Sequence, residues 1–294
     1  MKIDSHQHVM WFNRDDRWLV QEMDALGIDV AWLLTWYLLP EEDDPSYHVH
    51  TNPLNRRSDG THSGMPLSDI VSACGRFPRR FVAGYCPPPA RPHAPEAFEA
   101  AFHMHGVRVC GEWSYRMLLD DPRAIELFRK AGALKCPVVL HMDVPFLTDE
   151  DGHQRYQARW YGGDVHNLER TLQACPETVF IAHAPGFWRA ISGDADSDPQ
   201  VYPTGSITPG GELLRLFEAY PNLYADLSAN SGLSAMQRDR PYARQFIIRY
   251  ADRLLFGRDR YGDDLDRFLQ TLDLPEQVQE NIYFKNALRL VPPD

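Results

Sequence analysis

Several signatures are missing from this 294-residue chain, and each absence closes a route. Its five cysteines (Cys74, Cys86, Cys110, Cys136 and Cys175) form no CxxC pair and are odd in number. That argues against a disulfide framework and for reduced thiols buried as small hydrophobes, as in a cytoplasmic protein. No GxGxxG or GxxxxGK(S/T) occurs, so neither common phosphate loop is present, and no GxSxG offers a strained serine nucleophile. Met1 and Lys2 run directly into Ile3-Asp4-Ser5-His6, with no apolar stretch behind a basic start, so no secretory signal is expected. The longest apolar run, around 31–39, is about half of the ~20 residues a membrane span needs and reads as a buried strand. No linker, repeat or low-complexity tract marks a boundary, which predicts one domain over 1–294. The formal net charge of −11 repels phosphate backbones and anionic membranes, so neither nucleic acid nor membrane is an expected partner. A small molecule is, and self-association into a homo-oligomer is left open.

What the chain does contain is alternation. Eight short apolar runs, at about 2–8, 29–36, 80–86, 106–112, 137–142, 178–183, 222–227 and 253–259, are separated by amphipathic segments, the pattern of repeated strand-helix units. Helical spacing is clear in 121–133, where Asp120, Asp121 and Pro122 supply a start, and in 211–220, which Pro221 closes. With 44% hydrophobic residues, this length and order predict an α/β fold, a (β/α)8 TIM barrel, rather than an open doubly wound sheet. The stretches after the second, fifth and sixth runs are far longer than the usual 2–6 residues, which predicts long βα loops over the C-terminal face.

Metal-type side chains collect at the ends of these runs. His6-Gln7-His8 closes the first, and the period of two along a strand aims both imidazoles at one face. The pattern alone is weak: twelve histidines give about half a His-x-His pair by chance, and three pairs occur. The others, His48-Val49-His50 in a loop and His103-Met104-His105 ending a helix, read as solvated histidines. Val139-Leu140-His141 and Ile181-Ala182-His183 end the fifth and sixth runs, Asp259 ends the eighth and Glu112 the fourth. A lone polar residue of this kind is often a satisfied core group. Independent core histidines, however, have no reason to stop several strands at the same height, so the reading is a metal centre at the barrel mouth.

Through Ile3-Asp4-Ser5-His6-Gln7-His8, Val139-Leu140-His141, Ile181-Ala182-His183 and Phe256-Gly257-Arg258-Asp259, the sequence resembles the amidohydrolase superfamily. The likeness is to its amidohydrolase-related (amidohydrolase 2) branch of metal-dependent hydrolases and decarboxylases, and it covers nearly the whole chain. The resemblance implies the barrel fold. It also implies that His6, His8, His141 and Asp259 bind the principal metal, while His183 holds a second ion or polarises the scissile group. Glu112 looks like the bridging carboxylate of some relatives; a surface or capping glutamate is the alternative. Where the family commonly has a small residue before the aspartate, this chain has Arg258, with Arg260 beyond it.

Imidazole and carboxylate together suit zinc, one ion or two, with manganese or iron as alternatives. A divalent ion lowers the pKa of bound water from 15.7 to about 7. Asp259 is then the expected proton acceptor and His183 its catalytic companion. Aromatic and basic residues of the long loops (Phe146, Tyr156, Trp160, Tyr161, Phe187 with Arg155, Arg159, Arg189) suit a flat anionic substrate. The substrate contacts expected from position are Trp113, Tyr115, Arg116, Trp188, Arg258 and Arg260, with ordinary packing as the alternative for each. The leading expectation is hydrolysis of a small carboxylate-bearing lactone, ester or amide. The runner-up is non-oxidative decarboxylation of an aromatic or unsaturated acid, followed by a phosphoesterase and by a barrel that only binds.

Overall fold

The eight apolar runs become eight parallel strands in the computed structural model, which describes residues 1–293. These are β1 (Ile3–Gln7), β2 (Val30–Leu33), β3 (Phe81–Ala83), β4 (Cys110–Trp113), β5 (Val138–His141), β6 (Phe180–His183), β7 (Leu223–Asp226) and β8 (Leu254–Leu255). They pair in sequence order as two sheets, β1-β2-β3 and β4-β5-β6-β7-β8. Backbone hydrogen bonds join the sheets at both seams. Tyr85 donates to the Val109 carbonyl at 2.9 Å and Arg108 to that of Ala83 at 2.9 Å, while Ser5 donates to Phe256 at 2.9 Å and Asp259 to His6 at 2.8 Å. Eight parallel strands in this order are the arrangement of a (β/α)8 barrel.

Helices follow the strands, and their starts are chemical. The side chain of Asp15 caps α1 (Asp16–Leu26) by accepting the Trp18 N–H, and Gly27 ends it at a left-handed φ of 66°. Asp121 caps α2 (Pro122–Ala133) in the same way, and Asp164 opens α3 (Val165–Ala174) with a reciprocal capping box. Among the described residues no helix is long and apolar enough to cross a membrane. All five cysteines are free thiols, four of them buried.

Alternation along each strand divides the core in two. Ala31, Leu33, Val138, Leu140, Phe180 and Ala182 point outward under the helices. Ile3, Trp32, Val109, Val139, Ile181 and Leu255 form an inner layer against which Ala287 and Val291 of the C-terminal segment pack. The expected long loops are present. Residues 34–66 carry a small ribbon of Trp36–Tyr37 on Gly64–Met65, residues 142–164 a hairpin of Phe146–Thr148 and Gln154–Tyr156, and residues 184–211 a short helix, Pro185–Trp188.

Candidate metal centre

A strict period of two cannot carry both Ile3 and His6 to the barrel interior, because they are three residues apart. The register resolves this: Asp4 lies opposite Ala31 but Gln7 lies opposite Leu33, so β1 holds one extra residue between them. The same happens on β4, where Cys110 faces Val138 and Trp113 faces Leu140. Each irregularity resets the side-chain parity, the usual effect of a bulge. His6 and His8 thereby enter from β1 and Glu112 from β4, to meet His141 and His183, which arrive on unbroken strands. The last seam is tight: a side chain at Gly257 would place its Cβ 3.0 Å from that of His6. Asp259 sits just past it at a positive φ of 49°.

Glu112 lies at the middle. Its Oε1 is 2.8 Å from both His141 Nδ1 and His183 Nε2, and its Oε2 is 3.5 Å from His8 Nε2. Asp259 Oδ1 stands 3.3 Å from His8 Nε2 and 3.6 Å from His6 Nε2. Two sets of donor atoms close enough to share an ion result, His6 with Glu112 and His183, and His6 with His8 and Asp259. His141 belongs to neither set; its two ring nitrogens face Glu112 at 2.8 Å and Asp143 at 3.1 Å. Asp226 Oδ2 holds His6 Nδ1 at 3.0 Å and the Leu34 carbonyl holds His8 Nδ1 at 2.9 Å, so both rings present Nε2 to the cluster.

Burial opposes charge on these imidazoles, yet the neighbouring carboxylates prevail. Burial pulls His8 down, but hydrogen bonds and charge from Asp259 and Glu112 lift it to about 10. His6 is likewise raised, by Asp259, Asp226 and Glu112 against its burial. Glu112 resists a burial that would raise it and is held well below the usual carboxylate range by His141, His183 and His8. His6 Nε2 is buried with no hydrogen-bond partner among the described residues, although carboxylate oxygens stand 3.6 and 3.7 Å away. Imidazole nitrogens and carboxylate oxygens converging on such a gap are the donor set of a divalent transition metal.

The cluster floors a cavity of about 280 Å³ whose walls include Trp11, Trp36, Tyr47, Tyr161 and Tyr202, with Arg159 as its lysine- or arginine-type lining residue. Most residues expected to touch substrate are elsewhere. Trp113 and Tyr115 alternate outward from Glu112; both are buried, Trp113 against Phe128 and Tyr115 with its hydroxyl on the Cys86 carbonyl. Arg116 lies behind the wall with its backbone N–H on Glu42, and Trp188 is buried with its indole donating to the Asp226 carbonyl. Arg258 turns away from the cavity into buried ion pairs with Asp4 at 2.7 Å and Glu22 at 2.9 Å, while Arg260 pairs with Asp264. Of the loop residues, Tyr161 and Arg159 line the cavity, Phe187 and Arg189 are buried in the loop core, and Phe146 and Tyr156 are exposed on the hairpin. His48 pairs with Asp43 at 2.9 Å, outside the centre. Sequence reasoning missed Asp226, Asp143 and Ser114. Asp226 had the same signal as His141 and His183, an apolar strand stopping on a polar residue, and Ser114 had the alternation from Glu112.

A family model described as Amidohydrolase matches residues 3–292. Comparison with curated proteins finds no match. Among solved structures, 2,6-dihydroxybenzoate decarboxylase from Rhizobium aligns with a TM-score of 0.57 at 18% identity, over 98% of each chain. A dihydroxybenzoic acid decarboxylase from Polaromonas, with bound manganese and the inhibitor 2-nitroresorcinol, aligns at 0.59 and 17%, over 98% of this chain and 96% of that one. A protein from Pseudomonas putida described as a 2-pyrone-4,6-dicarboxylic acid hydrolase aligns at 0.58 and 14%, again over 98% and 96%. At such identities the likeness is one of fold.

Proposed function

This chain belongs to the amidohydrolase family, and from that premise we propose that it is a metal-dependent hydrolase of a small organic substrate, a carboxylate-bearing lactone, ester or amide. The observation that carries the reading is Glu112, which is 4% exposed and touches histidines from two other strands while facing both His6 and His8. A carboxylate in that position suits a bridge between two ions better than a surface or capping role. His6, His8 and Asp259 would hold one ion and Glu112, with His141 and His183, a second, with zinc favoured by the donor chemistry and manganese or iron as alternatives. Bound there, a divalent ion supplies Lewis acidity and a lowered pKa for water.

The chain's own residues do the rest. Asp226 and the Leu34 carbonyl fix the tautomers of His6 and His8. Asp259, whose Oδ1 is 3.3 Å from His8 Nε2 and which lines the cavity, would take a proton from an attacking water and return it to the leaving group. His183, its Nδ1 3.4 Å from the Ser228 hydroxyl, serves as ligand or as polarising group. The aromatic walls and Arg159 suit a flat anionic molecule.

Those same walls favour a second reading, decarboxylation of an aromatic acid. Elemental analysis of purified protein, then a panel of lactones, esters, amides and hydroxylated benzoates with carbon dioxide detection, separates the two. Ring or ester opening without carbon dioxide supports the hydrolase, carbon dioxide release replaces it with the lyase, and protein that binds no divalent ion sinks both.

A further inference from the structure

Asp259 lies beyond the end of β8, in a bend, with its backbone at a φ of 49°. A left-handed backbone is disfavoured for a residue with a Cβ, for aspartate less than for most, and it holds where the surroundings fix it. Here the chain on both sides is tied. The Arg258 N–H donates to Asp4 Oδ1 at 2.9 Å, the Asp259 N–H to the His6 carbonyl at 2.8 Å, the Gln7 side-chain amide to the Arg260 carbonyl at 3.0 Å and the Gly262 N–H to Glu22 Oε1 at 2.7 Å.

Two of those anchors are carboxylates, and one guanidinium joins them. Arg258 Nε donates to Asp4 Oδ2 at 2.7 Å, and its Nη1 to Glu22 Oε2 at 2.9 Å and to the Gly262 carbonyl at 3.3 Å. The side chain thereby spans the turn that carries Asp259, from the residue before it to Gly262 beyond. Asp4 is fully buried and also accepts the His6 N–H at 3.3 Å, so one carboxylate holds the backbone of His6 and that of the residue preceding Asp259. A carboxylate at that depth with no cation beside it is driven towards its protonated form, in which it accepts hydrogen bonds more weakly. Buried ion pairs can often be replaced by apolar side chains of similar volume without loss of stability, and one nitrogen of this guanidinium, Nη2, is buried with no partner among the described residues. Stability alone is therefore a poor reason for Arg258, and placement of its neighbour is a better one.

We propose that Arg258, acting through Asp4 and Glu22, is a positioning residue that holds Asp259 in its left-handed backbone and so keeps the Asp259 carboxylate on the ion it would share with His6 and His8. This rests on reading Asp259 as a ligand of the metal centre. It deepens that reading by naming what sets the ligand in place.

The test is zinc affinity by competition titration on the purified full chain, with urea unfolding measured alongside. Arg258→Met should weaken zinc binding by folded protein about tenfold, the effect expected of a group that orients a ligand. The sign is diagnostic, because removal of a nearby positive charge would by Coulomb's law leave affinity for a cation unchanged or tighter. In an Asp259→Ala background the same substitution should change affinity less than about twofold, since an effect carried by Asp259 disappears with it, whereas a general loosening of the barrel would persist. Arg258→Lys keeps a cation beside Asp4 but lacks the fork that reaches both carboxylates. It should lose an intermediate amount, and it carries the same comparison if the methionine variant does not fold. Unchanged or tighter binding in the folded Arg258 variants, an equal loss in the Asp259→Ala background, or no zinc uptake by wild type overturns the proposal. Wild type that binds zinc yet hydrolyses nothing in the panel defeats the proposed function and leaves this result standing, whereas unchanged zinc affinity in the variants defeats the positioning role without touching hydrolysis.

Discussion

Two layers of side chains fill the same barrel only one pleat apart, and they do opposite things. The layer nearer the strand starts, with Ile3, Val109, Val139 and Ile181, is apolar and buried. The layer at the strand ends, with His6, Glu112, His141, His183 and Asp226, is wholly ionisable, and all but His141 are below a tenth exposed. On β5, β6 and β7 the layers are related by a plain step of two: Val139 to His141, Ile181 to His183 and Tyr224 to Asp226. On β1 and β4 the step is three, and both strands carry an extra residue at that point. A regular sheet would have turned His6 and Glu112 outward into the helix layer. Chemistry here required a break in regularity that stability alone did not.

If the layers are separate in function, substitutions should separate them too. Asp259→Asn should show the largest effect, a fall in turnover of about 10²–10⁴-fold on whichever panel substrate reacts, with some metal retained and the unfolding midpoint little changed. Near-normal turnover would remove Asp259 from the chemistry. Ile181→Ala breaks the apolar layer instead: urea unfolding should register a loss of about 2–5 kcal/mol, while metal bound per folded molecule stays at the wild-type level. Equal damage to metal content would mean the layers are not independent. Asp226→Asn removes the negative charge behind His6 Nδ1 and should weaken metal affinity about 10–100-fold in a competition titration, at little cost in stability. Unaltered affinity would make Asp226 a packing residue only.

The smallest expected effect is a slope. In chelator-treated protein, burial disfavours the charged His8, but Asp259 and Glu112 raise it from 6.5 to about 10. A raised pKa gives stability that is fully present below 6.5 and is lost as pH climbs through 10, because the folded state holds the proton longer than the unfolded one. The melting temperature of metal-free protein should therefore fall between pH 7 and 10, and less steeply once a divalent ion replaces the proton. A flat profile in the metal-free protein would contradict the His8 environment described above.

Much of this was legible beforehand in particular residues. Seven of the eight strands lie within the apolar runs, β4 passes the end of its run by one residue at Trp113, and the helix over 121–133 starts one residue later, at Pro122. His6, His8, Glu112, His141, His183 and Asp259 all come to one end of the barrel. Less legible was which neighbours face the cavity. Trp113, Tyr115 and Arg258 stand next to cluster residues or within three of them, yet alternation turns the first two outward and ion pairs with Asp4 and Glu22 turn Arg258. Proximity along the chain does not give the side of a strand; parity does, and parity was disturbed by two irregularities, of which only the one on β4 leaves a mark in residue type, at Gly111.

The sequence by itself determined the order of strands and helices, the acidic surface and the supply of imidazoles and carboxylates at strand ends, because periodicity and residue chemistry are local properties. Only the tertiary structure decided which of those groups share atoms. That His141 is held between Glu112 and Asp143, that Asp226 supports His6, and that Ser114 and Trp11 are left with unmade hydrogen bonds all depend on how strands distant in the chain align across the barrel. Register is a collective property of paired backbones, and a shift of one residue reverses every side chain beyond it.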